Sequence, residues 1–373
     1  MAYRTTATAP PVTTNLLGKG VEFPKGPEDT VSALCWSPVS NHVAAACWDG
    51  HVYIYDAAHS TTTQDIKGVA AMAAAGVFLD CDFSKDGTLI AGAASDNNIH
   101  IMDLASGATT ALSGHSAPVR AVRFVDIPSS NAPILVSGSW DSTLRYWDLR
   151  QPSHAAIGNV PLSERVYAMD AAAAGGLLVA ATADRKIHLV NLRGGPGSGA
   201  VSKTLDAPLK HQPTTVSVSA DGSRWAVGGI EGRVAAQAVD EVEGKSFNFS
   251  FRCHRQPAKQ PSSTSLSSAV TITEVYAVNS TSFHPRNKSI LATAGSDGSL
   301  SIWDLARHQR LKVLPRADGG DGSSAAGTAA ITSLAFNREG SKIVYAVGYD
   351  WARGYMGHEE RYPRRISVCD LGM

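Results

Sequence analysis

The stretch ILVSGSWDSTLRYWDL, residues 134–149, carries the pattern that decides the fold. An apolar run leads through small residues to Asp141, and a second run of alternating apolar residues ends in Trp147–Asp148. Alternation of apolar and polar side chains is typical of a half-buried β-strand, and Ser, Gly and Asp are typical of turns. The stretch therefore predicts two short strands joined by a tight turn that holds an acid.

The same pattern recurs along the 373-residue chain, and most copies are preceded by another short strand. The further copies occupy residues 42–57, 89–104, 177–192, 224–239 and 290–305, and a seventh begins at residue 342. The acids at the seven predicted turns are Asp49, Asp96, Asp141, Asp184, Glu231, Asp297 and Asp350. Four of their six successive spacings lie between 43 and 47 residues. A period near 45 residues with a terminal Trp-Asp indicates a WD-repeat β-propeller.

The fold class predicted is thus all-β, a seven-bladed WD-repeat propeller, with turn acids that accept hydrogen bonds within their blades. The last copy ends at Leu371, so its blade lacks an outer strand. We expect the segment Asn15–Phe23 to supply that strand and close the ring, which would also remove an open sheet edge. Residues 1–14 are expected to be a disordered tail, and residues 15–373 a single propeller. The longer spacings, 66 and 53 residues, predict insertions near 241–273 and 351–365.

The composition argues against several functional classes. The chain has 33 basic and 33 acidic residues, so no global charge attracts it to nucleic acid or a membrane. No apolar stretch approaches the roughly 18 residues of a membrane span. Five scattered cysteines without a Cys-x-x-Cys pair favour buried thiols in a reducing compartment over zinc ligands.

Catalytic motifs are absent from the sequence as well. It has no Gly-x-Ser-x-Gly, no His-Glu-x-x-His and no P-loop. We therefore expect no catalytic residue, no metal and no cofactor. A propeller enzyme is the alternative from another class, and it would need several acids or histidines gathered at the central channel.

Several stretches together resemble one branch of WD propellers. They are PEDTVSALCWSP (27–38), GSWDSTLRYWDLR (138–150), APLKHQ (207–212), IEGRVAAQAV (230–239), FSFRCHR (249–255), VYAVNSTSFHP (275–285) and the Tyr-Asp-Trp and Gly-His-Glu of the last blade. The chain resembles, over roughly residues 25–371, the mRNA export factors of the nuclear pore (the Rae/Gle type), a sister family to the Bub-type mitotic-checkpoint propellers. The chain departs from the family pattern at His-Gln-Pro-Thr and in the later position of Gly-His-Glu.

This resemblance implies a partner and a site. Family members bind the GLEBS motif, a short acidic segment of a Phe-Gly nucleoporin, on one face of the ring. The resemblance implies that Arg233 and Arg252 pair with two glutamates of that segment, supported by His254 and Arg255. It also implies a monomeric adaptor without membrane contact, located in the nucleus and at the nuclear pore complex, with some in the cytoplasm. The alternative is a checkpoint adaptor that binds GLEBS-like segments of kinases through the same arginines.

Two interpretations of the bases near residue 252 stay open on the sequence alone. Lys245, Arg252, Arg255 and Lys259 form a local positive segment without an acid. They could bind the acidic partner, or they could be solvated while Phe247, Phe249 and Phe251 face the core as one strand.

A second basic cluster lies in the last-blade insertion. Its members are Arg353, Arg361, Arg364 and Arg365, together with Trp351 and two tyrosines. Interleaved cations and aromatic rings suit single-stranded RNA, because the rings stack on bases and the cations neutralise phosphates. The resemblance implies RNA contact when the nucleoporin segment is bound, and we expect this cluster to make that contact.

Overall fold

The computed structural model describes residues 15–16, 20–24, 26–58, 62–127, 133–151, 153–172, 176–195, 201–257, 273–314, 329–352, 354–357 and 362–372. The predicted tail and parts of both predicted insertions lie outside these ranges. The described residues form seven sheets, which are the blades of a β-propeller, and one small hairpin. The predicted fold class and number of blades are confirmed.

Strands are numbered in chain order, beginning with β1 (Asn15–Leu16) and β2 (Val21–Glu22). Blade 1 contains β3 (Val31–Trp36), β4 (His42–Cys47), β5 (His51–Asp56) and β6 (Lys67–Ala73); blade 2 contains β7 (Phe78–Phe83), β8 (Leu89–Ala94), β9 (Ile99–Asp103) and β10 (Thr109–Leu112). Blade 3 contains β11 (Val119–Val125), β12 (Ile134–Ser139), β13 (Thr143–Asp148) and β14 (Ala156–Pro161); blade 4 contains β15 (Val166–Ala172), β16 (Leu177–Thr182), β17 (Lys186–Asn191) and β18 (Val201–Asp206).

Blade 5 contains β19 (Pro213–Val218), β20 (Arg224–Gly229), β21 (Arg233–Ala238), helix α1 (Glu241–Phe247) and β22 (Phe249–Arg252). The hairpin of β23 (Arg255–Pro257) and β24 (Thr273–Val275) leads to blade 6, which contains β25 (Val278–His284), β26 (Asn287–Gly295), β27 (Leu300–Asp304) and β28 (Gln309–Leu314). Blade 7 contains β29 (Ala330–Phe336), β30 (Lys342–Gly348) and β31 (Arg365–Asp370). Short 3-10 helices occupy Thr63–Asp65, Leu192–Gly194 and Tyr355–Gly357.

Ring closure occurs in blade 7, as predicted, through a strand from the other end of the chain. β2 pairs antiparallel with β31, with Val21 opposite Val368, and the Phe23 N–H donates to the Ile366 carbonyl at 2.8 Å. β1 does not join this blade but runs parallel to β28 of blade 6. The expectation that all of Asn15–Phe23 completes the last blade was therefore wrong for its first residues.

The apolar core lies between the blades. In the described part of the chain, seven clusters of buried apolar side chains fill the seven boundaries between neighbouring blades. The cluster between blades 7 and 1 combines Phe23, Tyr55 and Val344, so the N-terminal segment is part of the core there. Because each sheet buries its faces only against its neighbours, a single blade has no core of its own.

The first strand of each blade lines the central channel and is joined to the next blade by side-chain hydrogen bonds. The Leu34 N–H donates to Ser333 Oγ at 3.0 Å, and the Val218 N–H donates to Asp170 Oδ2 at 2.8 Å. Since strands alternate in direction within a blade, all turns between second and third strands lie on one face of the ring. We call it the turn-acid face, because those turns hold the seven acids named above.

Candidate partner-binding site

The turn acids accept hydrogen bonds close to their own turns. Asp96 accepts from the Asn98 N–H at 3.0 Å, and Asp350 accepts from the Ala352 N–H at 3.1 Å. Glu231 accepts from the backbone N–H of Lys210, in the connection from blade 4, at 2.9 Å. These contacts satisfy backbone donors in tight turns, which supports the structural role expected of the acids.

Blade 3 shows how the turn acid continues into the blade interior. The ring of His115 contacts Asp141 at 2.8 Å through Nδ1 and Ser137 Oγ at 2.7 Å through Nε2, and Trp147 Nε1 donates to the same Ser137 Oγ at 2.8 Å. Burial lowers the pKa of His115, while the bond to Asp141 opposes that shift. A neutral imidazole satisfies this chain, donating to the carboxylate and accepting from the hydroxyl. The network ties β12, β13 and the turn between them to the loop that precedes the blade.

Blade 6 repeats this network around His254. Its Nδ1 contacts Asp297 at 2.8 Å and its Nε2 contacts Thr293 Oγ1 at 3.0 Å, which also accepts from Trp303 Nε1 at 3.0 Å. His254 is only 6% exposed, so its side chain does not reach the surface on which Arg252 lies. These contacts hold the segment between Arg252 and Arg255 in place.

Arg233 and Arg252 lie directly opposite each other, at the start of β21 and the end of β22. Residues opposite in an antiparallel pair project from the same side of the sheet, so both guanidinium groups point the same way at the turn-acid face. The Arg233 side chain is 30% exposed and its Nε lies 4.0 Å from Glu231 Oε2. Arg252 is exposed, and no acid pairs with it among the described residues.

Two like charges placed opposite each other destabilise a sheet unless an anion lies between or above them. The Glu231 carboxylate, which lies 4.0 Å from Arg233 Nε, already accepts from the Lys210 N–H. The pair of arginines therefore has unused capacity for a carboxylate ligand, and each planar guanidinium can bind one with two parallel hydrogen bonds.

Arg255 holds the turn that carries Arg233. Its Nη2 donates to the Glu231 carbonyl at 2.8 Å, and its Nε lies 3.4 Å from the Gly232 carbonyl. Gly232 has a φ of 58°, and a Cβ there would lie 2.9 Å from the Cys253 carbonyl oxygen, so the turn requires glycine. Half-buried Arg255 thus fixes the position of the pair, whereas Arg233 and Arg252 face outward.

Exposed apolar side chains lie near the arginines on the same face. Ile230, in the turn before Glu231, is 49% exposed, and Val275 of β24 is 45% exposed. Trp140, which occupies the matching turn position in blade 3, is 39% exposed. Sequence reasoning missed these residues, although Trp140 and Ile230 both directly precede a turn acid. A partner segment with both acidic and apolar residues would fit this surface.

The last-blade cluster joins blade 7 to blade 1. Trp351 stacks on Trp48 of blade 1, with ring centroids 4.8 Å apart and planes inclined by 15°. Arg364 Nη1 donates to the Glu28 carbonyl at 2.7 Å, and Arg365 begins β31. One face of the Trp351 ring is therefore already covered. Two other members of the predicted cluster, Arg353 and Arg361, lie outside the described residues.

The three phenylalanines before Arg252 do not form one strand. Phe247 ends helix α1 and is buried, whereas Phe249 and Phe251 lie in β22 and are half-buried against blade 6. Phe249 contacts His308 with ring centroids 4.1 Å apart, and Phe251 contacts Trp303 at 4.7 Å.

Arg310 extends this surface, because its guanidinium lies 6.0 Å from the centre of the Trp303 ring. We call Phe249, Phe251, Trp303, His308 and Arg310 the aromatic row; it lies on the outer side of blades 5 and 6. Sequence reasoning missed the row because its two halves are about fifty residues apart in the chain.

Metal ligands and membrane-spanning helices would point to other classes of function. Within the described ranges, no three His, Cys, Asp or Glu side chains converge as ligands for a metal ion. None of the helices found there has the length and apolar character needed to span a bilayer.

The fold and the two histidine networks define the chain as a WD40-repeat propeller, and a family model agrees. The model for the WD domain, G-beta repeat, matches residues 19–56, 73–103, 107–148 and 270–304. The WD40 repeat protein poxJ of Penicillium oxalicum is 41% identical over 95% of this chain and 93% of its own length. The poly(A)+ RNA export protein of Schizosaccharomyces pombe is 39% identical over 94% of this chain and 90% of its own length.

Two further relatives distinguish the branches. The mRNA export factor GLE2 of Chaetomium thermophilum is 37% identical over 95% of this chain and 92% of its own length. The mitotic checkpoint protein bub-3 of Caenorhabditis elegans is more distant, at 30% over 84% of this chain and 82% of its own length. The chain belongs to the Rae/Gle family of WD40-repeat mRNA export factors.

Proposed function

We propose that this protein is a non-catalytic adaptor that supports mRNA export by binding a GLEBS-type segment of a Phe-Gly nucleoporin at the nuclear pore. The family membership supports the export role, since relatives with 37% and 39% identity carry that function in their names. It also supports a location in the nucleus and at the pore. The observation that carries the site is the register of Arg233 opposite Arg252 on the turn-acid face.

The energetics of such a site favour an acidic peptide. Arg252 has no acidic partner among the described residues, so binding a glutamate there breaks no existing ion pair. Exposed apolar neighbours such as Ile230 would be covered by the peptide and would exclude water from the charge pairs. Removing one member of a desolvated ion pair costs about 2–5 kcal/mol, which corresponds to at least a tenfold loss of affinity.

The test is calorimetric titration of the purified chain with a GLEBS peptide from a Phe-Gly nucleoporin and with the corresponding peptide from a checkpoint kinase. We expect the nucleoporin peptide to bind more tightly, and Arg252→Ala to weaken it at least tenfold. The matched control is Arg150→Ala, which removes an exposed arginine from the opposite face of the ring.

The outcomes separate the alternatives. Arg233 and Arg252 do not distinguish the export branch from the checkpoint branch, so the comparison of the two peptides decides between them. Preference for the kinase peptide would assign the protein to the mitotic-checkpoint branch. If neither peptide bound, or if Arg252→Ala bound as the unchanged chain does, the arginines would be solvated bases and the proposal would fail.

The aromatic row, on the outer side of blades 5 and 6, is the surface that we favour for binding single-stranded RNA. It is separate from the surface that holds Arg233 and Arg252. Half-exposed rings can stack on bases, and exposed His308 and Arg310 can lie near phosphates. The last-blade cluster predicted from sequence is the competing location. Its described members have other contacts, since Trp351 is stacked on Trp48 and Arg364 is bound to a blade 1 connection.

Charge reversal at each surface separates the two locations. We expect Arg310→Glu to weaken binding of a single-stranded RNA oligomer by the peptide-bound chain and to reduce the salt dependence by about one phosphate contact. Arg364→Glu is the matched control, measured by fluorescence anisotropy at several salt concentrations. A loss of RNA affinity confined to Arg364→Glu would place the RNA-binding surface at the last blade. Unchanged affinity in both variants would contradict both locations.

A further inference from the structure

Two cysteine thiols meet across the boundary between blades 1 and 2. Cys35 lies in β3 and Cys81 lies in β7, and their sulfur atoms are 3.5 Å apart. β3 and β7 are the inner strands of separate sheets, so no backbone ladder joins them. The contact therefore links two blades that are otherwise held by apolar packing and by the Ser32 hydroxyl, which donates to the Phe78 carbonyl at 2.7 Å.

The pair is open to small molecules from the channel. Both cysteines line the central cavity, whose volume is about 440 Å³. Cys35 is partly exposed, while Cys81 is only 2% exposed. A reagent that enters the channel would thus meet Cys35 first, with Cys81 already in contact as the second thiol.

We propose that Cys35 and Cys81 are a site of reversible covalent modification, forming a disulfide between blades 1 and 2 on exposure to a peroxide. The thiolate of Cys35 attacks one peroxide oxygen, which breaks the O–O bond and leaves a sulfenic acid and a hydroxide; the hydroxide takes up the proton that the thiol lost and becomes one water. The Cys81 thiolate then attacks that sulfur and displaces hydroxide, which takes up a proton as the second water. Overall, two thiols lose two protons and two electrons, and hydrogen peroxide is reduced to two waters.

Formation of the disulfide requires only a small movement of the two sulfur atoms. A disulfide has an S–S distance of about 2.05 Å, so the two sulfurs must approach by about 1.5 Å. Rotation of the side chains can supply part of this, because Cys35 faces open space in the channel. Burial raises the pKa of Cys35, and its contact with Cys81 and the acids Asp82 and Asp80 add to that shift. Cys35 therefore stays largely protonated, and its oxidation is slow at neutral pH.

The experiment maps thiols in the full chain. The reduced protein is treated with hydrogen peroxide, unfolded, alkylated at its remaining thiols and digested without reductant. We expect three of the five cysteines to be alkylated and the peptides holding Cys35 and Cys81 to be joined. Dithiothreitol should restore five alkylated cysteines. The oxidised chain should also melt at a higher temperature, since the bond closes a long loop in the unfolded state.

Two variants control the assignment. Cys35→Ser should give no joined peptide, whereas Cys47→Ser should still give it, because Cys47 Sγ contacts the Asp29 carbonyl and takes no part in the pair. Five alkylated cysteines after peroxide treatment, separate oxidation of the two thiols, or a disulfide between other cysteines would each overturn the proposal. Mapping of the unsubstituted chain decides the matter even if Cys35→Ser fails to fold.

Discussion

His254 lies between two candidate partner-binding arginines in sequence, yet its own side chain is buried in the blade 6 network. Sequence reasoning did not connect His254 with Asp297, which is 43 residues further along the chain. The insertion between them hides the repeat spacing. By contrast, Arg233 and Arg252 could be identified from local motifs, although their direct opposition across β21 and β22 could not.

Replacing His254 should destabilise the fold rather than merely weaken binding. His254→Ala leaves the buried carboxylate of Asp297 without its imidazole partner, and we expect a loss of about 2–4 kcal/mol in the free energy of unfolding. Arg252→Ala, at an exposed position, should stay within about 0.5 kcal/mol of the unchanged chain. Urea denaturation measures both. A loss below about 1 kcal/mol for His254→Ala would show that the network contributes little.

At the scale of elements, the repeat period predicted seven blades because each blade is a local unit of alternating strands and tight turns. The closing strand was also predictable, since the last blade lacked an outer strand and the N-terminal segment was not yet assigned to any blade. Its division into β1 on blade 6 and β2 on blade 7 was not. That division depends on how the N-terminal segment passes the outer strands of blades 6 and 7. No local sequence pattern predicts this path.

Removal of the closing strand should open the ring. A chain lacking residues 1–23 loses β2 and Phe23, which is buried and makes an edge-to-face contact with Tyr55 at 5.1 Å. We expect its free energy of unfolding to be lower by at least about 3 kcal/mol than that of the full chain. We also expect it to self-associate through the exposed edge of β31.

The matched control lacks residues 1–20 and so keeps β2. Urea denaturation and size-exclusion chromatography compare the two truncations. Equal stability and equal size for both would mean that β2 does not close the ring.

Across the whole molecule, charged side chains that are buried or half-buried join neighbouring blades along the central channel. Arg123 of blade 3 contacts Asp80 of blade 2 at 2.5 Å and Asp170 of blade 4 at 2.9 Å. Asp82 accepts from the Phe124 N–H at 2.8 Å. Burial raises the pKa of Asp82 to about 7, although Arg123 and the Phe124 N–H oppose the shift. This carboxyl therefore makes the stability of the ring depend on pH.

The sign follows from proton uptake on folding. Since the Asp82 pKa is higher in the folded chain, its contribution to stability is present at low pH and is lost as the pH rises from about 4 to about 7. Asp82→Asn removes the titration. We expect the unfolding free energy of the variant, relative to the unchanged chain, to rise by about 2–3 kcal/mol between pH 5 and pH 8.

Asp103→Asn is the control for this measurement. Hydrogen bonds from Ser106 lower the pKa of Asp103, so its titration falls below the range tested. Urea denaturation at pH 5 and pH 8 should show no change in its relative stability. An equally flat result for Asp82→Asn would mean that Asp82 is ionised throughout.

The sequence by itself determined the fold class, the seven blades, the turn acids and the family, because period-2 alternation and turn chemistry act over a few residues at a time. Only the tertiary structure decided which side chains meet across blades. The thiols of Cys35 and Cys81, the stack of Trp351 on Trp48 and the aromatic row each join residues more than forty positions apart. Their proximity depends on the closed ring, which places every blade between two others and so sets which faces are buried and which stay open to partners.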